Sequence, residues 1–230
     1  SMATQEKYPN RWIQLVLGIV CMATIAKCQY GWTLFVAPIE DKYHWARTAI
    51  QLSFTIFLFF ETWLVPLEGW GVDKFGPRPV IIFGAILVTI GWIICSKASS
   101  LGVLYFAQIL TGAGAGAVYG TCSGNSLKWF PDKRGLAAGA TAAGFGAGAA
   151  VTVIPVANMI NTSGYEQAFF VFGIIQGCII TACALFMPRA KLPPGTKAIP
   201  KVISSKKNYS QTQMLREPLF WLIYVCFVGV

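Results

Sequence analysis

The feature that most constrains this chain is a succession of long apolar runs joined by short polar turns. A helix needs about 20 apolar residues to cross ~30 Å of hydrocarbon at ~1.5 Å per residue. Runs of that order occupy about 12–38, 48–67, 79–95, 101–126, 135–160 and 168–187. They predict an all-α membrane protein with six helices in its first 187 residues. From 188 to 218 the composition turns to Pro, Lys, Ser and Gln, and a new apolar run begins at Leu219. The predicted organisation is a cytoplasmic N-terminus over 1–11, a six-helix transmembrane bundle over 12–187, a basic linker on the membrane surface over 188–218, and the truncated start of a seventh helix over 219–230.

Composition excludes the main alternatives. Hydrophobic residues make up 55% and charged residues 12% of the 230, with a net charge of +9 and a mean hydropathy of +0.59. Such a chain has too little charge to cover a soluble surface. The basic residues sit in turns rather than on a stripe with interleaved aromatics, so nucleic acid is not expected as a partner. The seven cysteines fall in apolar runs, with no Cys-x-x-Cys and no histidine pair, and read as packing residues rather than metal ligands. No cofactor is implied. The first run is too long for a signal-peptide core. An integral-membrane enzyme is disfavoured because no Ser/His/Asp set is present.

Orientation follows from charge. With the N-terminus inside, the inner segments hold Lys7, Arg11, Lys74, Arg78, Lys128, Lys133, Arg134 and the seven Lys and Arg of the linker; the outer ones hold only Lys42, Arg47 and Lys97. The positive-inside rule then places the N-terminus and linker in the cytoplasm.

Within this frame, Gly-Trp-Gly-Val-Asp-Lys-Phe-Gly-Pro-Arg over 69–78 reads as a short charged turn. Gly69 and Gly76 let the backbone turn, Pro77 stops the incoming helix, and Asp73, Lys74 and Arg78 hold neighbouring helix ends together. Two ionisable residues fall inside predicted spans, Lys27 and Glu61. Each is expected to face a cavity or a partner. On helical rise they differ in depth by ~13 Å, so no direct salt bridge is expected. Glu61 is a candidate proton site. Lys27 either snorkels to the outer surface or attracts an anion into an outer vestibule. Cys28 and Trp32 share a helix face while Gln29 points elsewhere. Tyr119, among glycines and alanines, is a candidate pocket wall whose hydroxyl needs a partner if buried. Gln108 and Asn125 lie nearer helix ends, and His44 reads as a solvated loop residue. The glycines at 112, 116, 120 and 124, with further pairs at Gly135/Gly139 and Gly144/Gly148, predict close helix packing.

Four segments together carry a resemblance: Cys-Gln-Tyr-Gly-Trp-Thr-Leu-Phe (28–35), Val-Asp-Lys-Phe-Gly-Pro-Arg (72–78), Val-Tyr-Gly (118–120) and Trp-Phe-Pro-Asp-Lys-Arg-Gly-Leu-Ala (129–137). They resemble the oxalate/formate antiporter family of the major facilitator superfamily, whose bacterial members include proton-coupled L-lactate transporters similar to animal monocarboxylate carriers. The resemblance implies twelve helices in two six-helix bundles, a central anion site and alternating access, in a bacterial inner membrane and as a monomer when complete. It places Gln29, Tyr30 and Tyr119 around the anion, with the cationic residues in the second bundle. Three departures stand out. Phe145 replaces a tyrosine of the family's oxalate carrier, which removes a donor to a second carboxylate. Glu61 replaces a glutamine and Lys27 a small residue. Gln108 also stands where many members of the superfamily have arginine. The expectation is proton-coupled symport of a monocarboxylate such as L-lactate, with Tyr119, Cys28 and Gln29 as the pocket wall and Tyr30 and Phe145 beside them. The alternative is an oxalate/formate-type exchanger.

Overall fold

In the computed structural model, which describes residues 8–196, 213 and 215–228, every described regular element is an α-helix. In order they are α1 (Arg11–Tyr30), α2 (Thr33–Tyr43), α3 (Arg47–Trp63), α4 (Val65–Phe75), α5 (Pro77–Lys97), α6 (Leu101–Trp129), α7 (Arg134–Ser163), α8 (Tyr165–Leu185) and α9 (Pro218–Val228). The chain divides into two units at Thr196/Lys197. The first holds α1–α8 and the second holds α9. Among the described residues, five spans are long and apolar enough to cross a membrane, and α3 with α4 supplies a sixth if that bent pair is one span. The predicted surface linker falls largely on residues outside those described. Its first residues do not leave the bundle: Ala190 and Leu192 pack on Leu15, Trp129 and Phe130.

Two predicted single helices are broken, each for a local reason. The first run splits at Gly31–Trp32, where Leu34 and Phe35 make tight bonds back to the Gly31 and Trp32 carbonyls, as at the end of a helical segment. The second bends by 44° at Leu64. Pro66 has no N–H for the Thr62 carbonyl and its ring crowds that oxygen, so the chain restarts with proline in the first turn of α4.

This bend corrects the reading of 69–78 as a turn. Gly69, Asp73 and Lys74 are helical, and the turn contracts to Gly76 alone, whose φ is +90°. That left-handed region is open to glycine and strained for other residues. Arg78 already belongs to α5 and is exposed. Arg189, just after α8, closes the end of α4 by donating to the Lys74 and Asp73 carbonyls at 2.7 and 3.3 Å.

Because lipid is as apolar as leucine, close backbone approach rather than hydrophobic exclusion assembles helices in a bilayer. The glycine row of α6 supplies that approach. A Cβ on Gly112 would run into the Phe57 carbonyl of α3, and one on Gly116 would lie 2.5 Å from the Glu61 carbonyl. On another face of α6, Gly114 meets Gly84 of α5, whose own Cβ would lie 2.8 Å from the Gly114 carbonyl. Gly144 and Gly148 of α7 seat Ile19 and Ala23 of α1, whereas Gly135 and Gly139 face open space. The second pair therefore packs and the first does not. Trp32, Phe35, Trp92 and Phe169 cluster between α2, α5 and α8, with Phe35 and Phe169 stacked at 3.9 Å between centroids and Trp92 edge-on to both.

Candidate functional site

The break after Tyr30 ends α1 where α6 and α7 pass, and three aromatic rings meet there. Phe145 of α7 lies between Tyr30 of α1 and Tyr119 of α6, with centroids 5.4 and 5.2 Å away, both edge to face. Phe145 is 8% exposed, but Tyr30 is 50% and Tyr119 40% exposed. Neither phenol makes a hydrogen bond among the described residues, and nor does the amide of the neighbouring, half-buried Gln29. The result is an open wall with two unengaged O–H groups on an apolar floor, which suits a small anion that accepts hydrogen bonds.

Cys28 stands apart from this wall. It is buried, and its thiol donates to Gln176 Oε1 of α8 at 3.4 Å. Trp32 shares its buried face, in contact with Phe169 of α8. The helical turn that exposes Tyr30 therefore rotates Cys28 into the core, and its expected place in the pocket is corrected.

Lys27 also departs in part from expectation. It is 2% exposed, its Nζ donates to the Thr24 carbonyl at 2.6 Å, and it lies 5.8 Å from the Trp92 ring centroid. The side chain folds back along its own helix, the direction that helical rotamers favour, so it does not snorkel to the surface, but it lines a cavity of about 350 Å³ between α1, α7 and α8, as a charge inside a span is expected to. The ion pairs among the described residues are Arg11–Asp132, Lys42–Glu166, Arg47–Glu40 and Lys128–Asp73. Lys27 and Glu61 thus form no pair. Arg78 has none either, so only Asp73 of the mixed-sign cluster ties to another helix, 3.6 Å from Lys128 Nζ of α6.

A second polar feature opens where α4 and the end of α6 diverge. A cavity of about 490 Å³ lies between α4, α6 and the strap after α8, with Glu68, Asp73, Thr121, Asn125, Lys128 and Arg189 among its lining. Glu68 went unremarked in the sequence because helix two was ended at Leu67. The bend carries the helix on, and places Glu68 seven residues after Glu61 on the side facing α6. There a Cβ on Gly116 would sit 3.1 Å from Glu68 Oε1, and one on Gly120 3.8 Å from Oε2. The signal was present: two carboxylates at helical spacing and a proline suited to a helix start. Asn125 is 5% and Gln108 2% exposed, so both are core residues despite lying toward helix ends. His44 is an exposed residue in the left-handed region, ending α2.

At the same basic end, Arg11 donates to Asp132 Oδ1 at 2.7 Å and lies 4.8 Å from the Phe130 ring centroid. The guanidinium holds the Asp132 carboxyl below its usual range.

Comparison with known proteins agrees with this architecture. The model for the Major Facilitator Superfamily matches residues 15–230. The chain is 36% identical over 221 residues to the oxalate:formate antiporter of Oxalobacter formigenes, covering 96% of this chain and 52% of that protein. It is 23% identical over 223 residues to the uncharacterised transporter YhjX of Escherichia coli, 95% of this chain and 54% of that one. A probable sulfoacetate transporter, SauU, of Cupriavidus necator is 27% identical over 165 residues, 70% of this chain and 38% of that protein. The chain spans about half the length of the first two, or less in the third. Apolar spans, a glycine-seated helix bundle and a family match along nearly its whole length identify the chain as a member of the major facilitator superfamily.

Proposed function

We propose that the protein carries small organic anions across the membrane by exchange, with alternating access. The Tyr30–Phe145–Tyr119 wall contributes the hydroxyl donors of the first bundle to a carboxylate. The observation that carries this reading is the pair of half-exposed phenols, unengaged and held on either side of one ring. Similarity to a protein named as an oxalate:formate antiporter supports the substrate class and the exchange mode. The N-terminus, linker and basic helix ends lie on the cytoplasmic side in this reading, and the described bundle is one half of the carrier.

Proton-coupled symport of a monocarboxylate such as L-lactate is the second reading. It is favoured by Glu61 and Glu68 on one bent span, since exchange of anions requires no titrating group. The two readings separate in proteoliposomes of the whole protein. Uptake of labelled formate or oxalate that requires internal anion and ignores an imposed proton gradient supports exchange. Lactate accumulation driven by the gradient and abolished by a protonophore transfers the case to symport. Transport of none of the three overturns both.

A further inference from the structure

Glu68 is the one described carboxylate with both side-chain oxygens buried and neither accepting a hydrogen bond. The cations of its cavity are engaged elsewhere. Lys128 is paired with Asp73, and Arg189 is spent on the carbonyls that end α4. Glu61, from α3, brings a second carboxyl rather than a cation, Lys74 lies over the Trp70 ring, and α5 brings only Pro77 to the cavity wall. A buried carboxylate ion with no cation and no donor is strongly disfavoured.

Thr121 supplies an independent observation. The other buried helical threonines, Thr24, Thr111 and Thr141, each donate to the carbonyl four residues back. Thr121 is 3% exposed, lines the same cavity and makes no hydrogen bond at all. One turn further along α6, Asn125 adds an amide oxygen to the same wall.

We propose that Glu68, Thr121 and Asn125 form a binding site for one small monovalent cation, a proton or a sodium ion, reached from the basic end of the bundle. A proton converts Glu68 into a donor for which Thr121 and Asn125 offer acceptors. A sodium ion finds carboxylate, hydroxyl and amide oxygens, the hard ligands it requires. Thr121 lies two residues from Tyr119 and Asn125 one turn beyond, so two successive turns of α6 carry both the cation site and part of the anion wall. That coupling rests on the anion-transport reading; the site itself does not.

The test uses the purified whole protein and reads binding rather than transport. Infrared difference spectra across a pH titration, in H₂O and D₂O, report a protonated carboxyl. Thermal unfolding in sodium chloride against choline chloride at fixed pH reports sodium. A proton site gives a titrating carboxylic-acid band that is lost in Glu68→Gln and kept in Thr121→Val, with no effect of sodium. A sodium site gives a sodium-dependent rise in unfolding temperature that is lost in both variants and kept in Thr121→Ser. If the native protein shows neither a Glu68-dependent band nor a sodium-dependent shift, the proposal falls, while anion exchange measured in vesicles stands untouched. Glu68→Asp, which keeps the charge, covers the case in which the glutamine variant fails to fold: retention of either signal in it supports the site, and absence of both overturns it.

Discussion

Phe145 lies edge to face with two tyrosines while contributing no polar atom of its own, so the chemistry of the proposed anion wall depends on two phenolic hydroxyls. A hydrogen bond to a charged group is worth about 1.5–3 kcal/mol. In the complete carrier, Tyr119→Phe and Tyr30→Phe are therefore each expected to weaken carboxylate binding by roughly ten- to a hundredfold, read by calorimetry, with folding unchanged. Phe145→Tyr adds a donor between them and is expected to raise affinity for a two-carboxylate anion more than for a one-carboxylate anion. Gly76 is a different kind of residue, defined by its backbone. Alanine there keeps φ near +90° with ψ near 175° at a cost of about 1–3 kcal/mol, and its Cβ would meet the Arg189 side chain at 3.0 Å. A lower unfolding temperature for Gly76→Ala, with no such loss for Gly69→Ala in the open interior of α4, is the expected pattern.

At the scale of elements, glycines that look alike in sequence differ by what faces them. Gly148→Val drives a side chain into the Ala23 backbone of α1, whereas Gly139→Val meets open space. The first is expected to separate α7 from α1 and abolish folded protein on size-exclusion chromatography; the second is expected to leave it folded. Run length and glycine spacing made the six spans and the close packing of α6 legible in sequence. Composition could not show which glycines find a neighbour, because that depends on how helices rotate about one another. The same limit accounts for Cys28: its shared face with Trp32 was legible, but not that this face turns to α8. The break at Leu64 was hidden because Pro66 lies inside the apolar run 48–67, which reads as one helix, whereas the proline begins a new one. Moving that boundary places Gly69, Asp73 and Lys74 in α4 rather than in a turn and brings Glu68 into view.

In the first unit, basic residues are gathered at one end, and that end is tied by its own contacts, as the opposite end is by Lys42–Glu166 and Arg47–Glu40. Arg189 closes α4, Lys128 reaches Asp73, and Arg11 bonds Asp132. The Asp132 carboxyl titrates below the ~3.9 of an unfolded aspartate. Its contribution to stability is therefore complete above that value and disappears as pH falls through the lower, folded one. Asp132→Asn is expected to flatten this acid limb of stability and leave neutral behaviour little changed. The same asymmetry predicts the orientation proposed above, because Lys and Arg in short loops resist translocation. In a whole-length variant with its native cysteines replaced, His44→Cys and Lys133→Cys mark opposite ends of the bundle, both outside the lipid-crossing stretches. A membrane-impermeant maleimide applied to intact cells is expected to label His44→Cys at once and Lys133→Cys only after the membrane is opened. The reverse order would invert the bundle. The cavity at Glu68 would then draw its cation from outside the cell, and a gradient would act on it in the opposite sense.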